Sequence, residues 1–182
     1  MRADAKRNRD RIVEVAREVF RERGYDASLD DIAKRAGVGP GTLYRHFPTR
    51  DALFDAVMQV WVDRVTETTD KALTYEGPTR EFVVGWFEAY VALISLHKGG
   101  PAKITSAMGV EESPIATKCR TLVAATERIV EHLQAHGSLR GDVDAVQMCR
   151  LVGGVAVVAD QGDLGADAVR PMLAVLADGM LR

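Results

Sequence analysis

Hydrophobic positions recur at helical spacing almost throughout this chain, and no stretch alternates with the two-residue period of a half-buried strand. Between 10 and 23, Ile12, Ala16, Val19 and Phe20 share one face, and Gly24 stands where such a helix would end. Two short helices are predicted within 28–47. Ser28 offers the side-chain oxygen of an N-cap, Asp31 completes a capping-box pattern three residues later, and Leu29, Ile32, Ala33 and Ala36 form one apolar stripe. Gly37 supplies the left-handed residue that ends the first of the pair. Gly39 caps the second and Pro40 opens it, since proline's missing N–H costs nothing at that position. Leu43 and Phe47 are spaced for burial, and Pro48 closes the helix.

Six further helices follow from the same periodicity. Thr49 can cap one over 50–73, with Leu53, Phe54, Val57 and Trp61 on its apolar face. Gly77-Pro78 interrupts the chain before a strongly apolar helix over 79–98, which Gly99-Gly100-Pro101 ends. Shorter and longer segments over 101–108, 114–136, 142–160 and 166–181 complete an all-α chain of about nine helices. Two domains are expected. Residues 1–49 form a three-helix unit containing a helix-turn-helix, and residues 50–182 form a larger helical domain. A fifty-residue unit buries little surface, so the small domain needs the helix after it for stability.

Composition adds exclusions. With 47% hydrophobic and 27% charged residues the chain is an ordinary globular one, without an apolar run long enough to span a membrane or an N-terminal signal segment, so the cytoplasm is expected. Cys119 and Cys149 lack metal-type spacing and sit in apolar helical surroundings, where reduced buried thiols are expected. The net charge of −2 hides an asymmetry: residues 1–50 carry 12 Lys+Arg against 8 Asp+Glu, a net +4, and the remainder carries 12 against 18, a net −6. A basic head on an acidic body suits a unit that meets phosphates through the head alone. Lys6, Arg7, Arg9 and Arg11 precede or open the first helix, either as a basic arm reaching DNA or as a solvated terminus.

The outer face of the helix opened by Pro40 has the side chains that nucleic acid requires. Hydroxyls can meet phosphate oxygens, a planar guanidinium can meet a guanine edge, and Gly41 lets the helix axis approach the groove floor. Gly37, Val38, Gly41-Thr42-Leu43-Tyr44, His46-Phe47 and Arg50, preceded by Ile32-Ala33 and Ala36, closely resemble the signature of the tetracycline-repressor (TetR) family of bacterial regulators. The resemblance is detailed over the first third of the chain and generic beyond it. It implies a homodimer with an N-terminal DNA-binding domain and a C-terminal domain that binds an effector and dimerises through its last two long helices. DNA contacts are then expected from Ser28, Gly41, Thr42, Tyr44, Arg45, His46 and Arg50. Two positions depart from the usual pattern. Pro40 replaces a polar side chain found in many relatives, and Leu29 with Asp30 replaces the hydroxyl and basic pair of others, which leaves base readout resting on Arg45.

In the larger domain, Leu151-Val152-Gly153-Gly154-Val155-Ala156-Val157-Val158 is apolar nearly all round, a pattern that requires cover on both sides. One side can meet its own chain and the other a symmetry mate, giving a dimeric four-helix bundle from 142–160 and 166–181. An effector pocket is expected among the fourth to eighth helices, lined by Trp61, Trp86, Phe87, Tyr90, His97, Met108 and Met148, and suited to a small, largely apolar molecule. Two other classes compete. The head could be a protein-binding adaptor, or His132 and His136, one turn apart with Glu131 and Asp142 nearby in sequence, could serve a small metal-dependent enzyme. Glu111-Glu112 before Ser113-Pro114 reads as helix-dipole charge; the chain shows no nucleophile motif, phosphate loop or dinucleotide fingerprint, and no cofactor is expected.

Overall fold

The computed structural model describes residues 2–23, 26–96, 98–108 and 115–182. Nine helices run through the described residues: α1 (Arg2–Arg23), α2 (Leu29–Arg35), α3 (Pro40–His46), α4 (Arg50–Leu73), α5 (Thr79–Ile94), α6 (Gly100–Ser106), α7 (Ala116–Ala135), α8 (Ala145–Gly162) and α9 (Ala166–Met180). Of the positions singled out from sequence, Gly24, His97 and 111–114 lie outside the described residues. The chain forms two compact units, Met1–Asp63 and Arg64–Arg182, and α4 runs through the division.

The first unit has one apolar cluster. Ile12, Ala16 and Val19 of α1, Ile32 and Ala33 of α2, Leu43 of α3 and Leu53 of α4 are all completely buried. Phe54 adds an edge-to-face contact with Phe20, ring centroids 5.8 Å apart, so the first turns of α4 complete the core that α1, α2 and α3 leave open. α1 begins at Arg2, eight residues before the start that its apolar stripe predicts. Polar contacts rather than burial extend it: Arg7 pairs with Asp4 and Arg11 donates to Asn8, both at the i, i+3 spacing that supports an exposed helix.

The second unit is built around α8, which packs against α5, α6, α7 and α9. α5 lends it a nearly continuous apolar face in which Val83, Val84, Trp86, Phe87, Tyr90 and Ile94 are almost completely buried. The start of α8 falls at Ala145, three residues later than periodicity alone suggests. Asp144 accepts from the Gln147 amide at 2.8 Å while the Gln147 side chain accepts from the Asp144 amide at 3.0 Å, a full capping box. Asp142 is engaged elsewhere, by the Arg140 guanidinium at 2.7 and 3.1 Å, and this hydrogen-bonded pair holds the Asp142 carboxyl below its ordinary pKa. α5 likewise stops at Ile94 rather than near Lys98, because Ser95 makes the last helical bond and Gly99 then takes a left-handed φ of 77°, its amide donating to Asp160 Oδ2 at 2.8 Å. α9 is fastened to α5 by Arg80–Asp178 at 2.6 Å and by Arg170, which reaches Glu81 at 2.8 Å and Glu88 at 2.5 Å. Leu139 and Leu181 form an isolated antiparallel bridge, reinforced by Arg140 N to Met180 O and Arg182 N to Ser138 O, both 3.0 Å.

The two adjacent glycines of α8 have different surroundings. Gly154 faces outward with open space around it, whereas a Cβ on Gly153 would lie 2.4 Å from Thr105 Oγ1 and 3.2 Å from Thr105 Cγ2 on α6. Threonine is stiff about χ1 and cannot swing clear. Gly153→Ala is therefore expected to lower stability by roughly 1–3 kcal/mol, and Thr105→Ala in the same chain to recover most of it. Thermal melts of the two variants check this coupling, and an unchanged melting temperature for Gly153→Ala contradicts it.

Candidate nucleic-acid interface

The recognition element is assembled from its caps inward. Ser28, extended at φ −65° and ψ 127°, accepts from the Asp31 amide through its hydroxyl at 3.4 Å, which starts α2. Asp31 also receives Arg23 of α1 at 2.6 Å, and Arg35 reaches Glu22 at 2.8 Å, so ion pairs at both ends fasten α2 to α1. Hydrogen bonding to Glu22 keeps the Arg35 guanidinium above its ordinary pKa. At the turn, Gly37 adopts φ 65°, a conformation that costs a side-chain-bearing residue energy, and the Val38 amide returns to the Ala33 carbonyl at 3.0 Å. Pro40 opens α3 immediately after the extended Gly39.

α3 then presents two opposite faces. Leu43 is completely buried and Phe47, its C-cap, is 2% exposed; Gly41, Tyr44 and Arg45 are exposed, and Thr42 and His46 are half-buried. Tyr44 is 45% exposed, a large aromatic ring turned to solvent on the face opposite Leu43. Arg45 folds its Nε back onto the Gly41 carbonyl at 3.0 Å. That bond leaves both terminal nitrogens of the guanidinium for a two-pronged contact with an acceptor pair. Arg50, at the first turn of α4, donates to the Ala27 carbonyl, just before the Ser28 cap. Thr49 Oγ1 accepts from the Ala52 amide at 3.1 Å, capping α4 as its sequence position suggests. The structure thus gathers Ser28, Gly41, Thr42, Tyr44, Arg45, His46 and Arg50 around α3 and the two caps that bracket it. Gly41 has open space where a Cβ would stand.

Residues 12–57 match the family described as bacterial regulatory proteins, tetR family, and residues 78–182 match the family described as the SbtR-like transcriptional regulator C-terminal domain. The chain belongs to the TetR family of transcriptional regulators. An HTH-type transcriptional regulator of Staphylococcus aureus is 50% identical over 60 residues, which is 32% of this chain and 32% of that protein; the match therefore spans about a third of that relative. Over nearly the whole length, a TetR transcriptional regulator from Streptomyces coelicolor is 30% identical with a TM-score of 0.65, covering 95% of this chain and 98% of that one. The fold is also shared with a TetR regulator from Chloroflexus aurantiacus, TM-score 0.72 at 21% identity, covering 100% and 99% of the two chains.

In this TetR family chain the residues expected to line an effector pocket are distributed as follows. Trp61 is buried on α4 and belongs to the first unit, whereas Trp86, Phe87, Tyr90, Met108 and Met148 are buried in the second; His97 lies outside the described residues. Tyr90 is 2% exposed, and its hydroxyl has no hydrogen-bond partner among the described residues. Burial, with the neighbouring thiols, raises its pKa well beyond the ordinary phenol range. Burial also pushes the Cys149 thiol up, against its hydrogen bond with the Thr126 hydroxyl, to which it donates at 3.3 Å, and pushes Cys119 up as well. Both cysteines are unpaired and buried, as their apolar setting suggested. Trp86 lines a groove of about 390 Å³ with Thr68, Tyr75, Phe82 and Gly85 between α4 and α5. A second groove of about 460 Å³, bounded by α5, α8 and α9, contains Glu88, Lys98, Asp160 and Arg170 and was not legible in the sequence, because its residues come from segments about 80 positions apart.

The His132 and His136 rings are tilted against each other with centroids 4.5 Å apart, and His132 also meets the Phe82 ring at 5.4 Å. His136 Nδ1 lies 2.7 Å from the His132 carbonyl, and among the described residues no three His, Cys, Asp or Glu side chains are grouped to hold a metal ion. Aromatic packing and a helix-end hydrogen bond account for the pair. No described helix is long and apolar enough to cross a membrane.

The Ser28 cap yields a test that separates folding from contact. Ser28→Ala is expected to cost about 1 kcal/mol of stability, while Ser28→Asp keeps the cap and the melting temperature. The aspartate also places a negative charge beside the recognition helix, so DNA affinity is expected to fall in the more stable of the two variants. A melt and a binding isotherm on each protein decide the matter.

Proposed function

We propose that the protein is a transcriptional repressor that binds a pseudo-palindromic operator as a homodimer and is released by a small, largely apolar effector. The observation that carries this reading is the division of α3: Leu43 and Phe47 are locked in the core while Tyr44 and Arg45 stand in solvent beside Gly41. A major groove admits such a helix, and an arginine fork matches the O6 and N7 acceptors of guanine. Thr42, Tyr44, His46, Ser28 and Arg50 would meet phosphates and fix the register of the helix on the duplex. Its place of action would be the cytoplasm, with the operator DNA.

A dimer is supported by the outer faces of α8 and α9. Leu151, Gly154 and Val158 fall at i, i+3 and i+7 on α8, with Leu151 and Val158 each 50% exposed. On α9, Ala168, Pro171, Val175 and Gly179 are exposed and uncharged, and Val175 is 72% exposed. Two packed helices that each leave an apolar stripe in water favour a symmetry mate. The pairing must hold two recognition helices about 34–36 Å apart, or a multiple of that, to enter successive major grooves. An effector releases DNA only by binding better to a conformation in which that spacing is lost. The Tyr90 hydroxyl, buried without an oxygen or nitrogen partner among the described residues, is the polar group best suited to orient such a ligand.

Two measurements test the reading. Arg45→Ala should lose roughly 1–3 kcal/mol of operator affinity and relax preference at one base pair, while Tyr44→Ala weakens all sites alike. Affinities across a panel of operator variants distinguish these outcomes, and undiminished discrimination after the Arg45 change removes it from base readout. Sedimentation tests the assembly: the wild type should run as a dimer at micromolar concentration and Val175→Glu as a monomer. A monomeric wild type would defeat the proposed geometry.

A further inference from the structure

The positive charge of the first unit is confined to two short segments. Residues 2–11 hold five Lys+Arg against two Asp+Glu, and residues 40–50 hold Arg45 and Arg50 with no carboxylate. The intervening residues 12–39 carry five basic and six acidic groups, a net −1, and three of those five cations are engaged in ion pairs: Arg17 with Glu14, Arg23 with Asp31 and Arg35 with Glu22. The whole excess of the head therefore sits at the start of α1 and along α3 to the beginning of α4.

The structure brings these two segments together. Arg9 of α1 lies over the ring of Phe47, its guanidinium carbon 5.3 Å from the ring centroid, at the C-cap of α3. Such stacking fixes the arginine stem against the core while its edge donors remain in water. Lys6 is exposed one turn earlier on α1, about 5 Å along the axis and roughly 60° round from Arg9, and Asp10 stands about 40° further round, on the side of Lys6 away from Arg9. Asp4, the other carboxylate of the segment, is paired with Arg7. Because α1 is helical from Arg2 onward, these cations are held on a rod attached to the end of the recognition helix.

We propose that the first turns of α1 form a second phosphate-binding strip, continuous with α3, in which Arg9 and Lys6 grip the duplex backbone beside the bases that α3 reads. The inference rests on the helix-turn-helix reading of α2 and α3 and extends it. Neither residue faces bases, so the strip adds affinity without adding sequence preference. It also makes the operator contact longer than the recognition helix alone would give.

The test measures how binding responds to salt, on duplex DNA of arbitrary sequence and on operator fragments selected with the wild type. Each phosphate contact contributes about −0.9 to the slope of log affinity against log salt. Lys6→Ala and Arg9→Gln are each expected to make that slope shallower by about 1 per protomer, and equally on every sequence. A fourfold rise in salt should then cost each variant about 3-fold less affinity than it costs the wild type, per charge removed. Arg9→Lys, which keeps the charge and loses the flat stacking group, should restore the slope. Lys6→Ala retains a strong helix former at an exposed site, so its result decides the matter even where Arg9→Gln unfolds the head. If the wild type binds DNA and the folded variants keep its slope, the strip is refuted alone. If the wild type shows no salt-dependent affinity for any duplex, the helix-turn-helix reading fails and the strip with it.

Discussion

A helix of seven residues has no stability of its own in water, because the cost of its first turn is never recovered within so short a span. α3 exists as a helix because Leu43 and Phe47 are buried, each contributing roughly 1.5–3 kcal/mol by leaving water. That anchorage also explains why the opposite face can be devoted to solvent: with two side chains supplying the burial, Tyr44 and Arg45 are free of packing duties. The interface is therefore a by-product of core formation, and its orientation is as rigid as the cluster that holds Leu43.

The same logic runs through the supports of α3. Ser28, Gly37 and Gly39 determine where the two short helices start and stop, Arg23 and Arg35 hold α2 on α1, and Arg50 ties the first turn of α4 to the Ala27 carbonyl. α4 therefore belongs to the head at its start, through Leu53 and Phe54, and continues into the second unit at its end. A single helix thus contributes residues to both units.

Much of this was legible in the sequence because it is local. Caps, a left-handed glycine, an N1 proline and a helical stripe each occupy a few adjacent positions, and they located α2 and α3 to within a residue. Where local signals were subtler the reading slipped. The Asp144/Gln147 capping box moved the start of α8 past Asp142, and polar i, i+3 pairs carried α1 eight residues beyond its apolar stripe. What depends on distant partners could not be read at all: that Gly153 faces Thr105 while Gly154 faces water, that Arg9 covers Phe47, or that Glu88, Lys98 and Arg170 border one groove. An aromatic stripe on α5 announces burial in the sequence but does not say whether a ligand or the core occupies the space beside it.

The fastening of α9 bears on how the second unit opens. Ion pairs to α5 hold it along its length, and the bridge between Leu139 and Leu181 holds the segment beyond it to the turn after α7. Fraying from that end cannot proceed one residue at a time, since the amides of Arg140 and Arg182 are released only when both strands of the bridge part. In deuterated water those two amides should exchange at a common rate, set by a cooperative opening that lifts α9 from α5 as one piece.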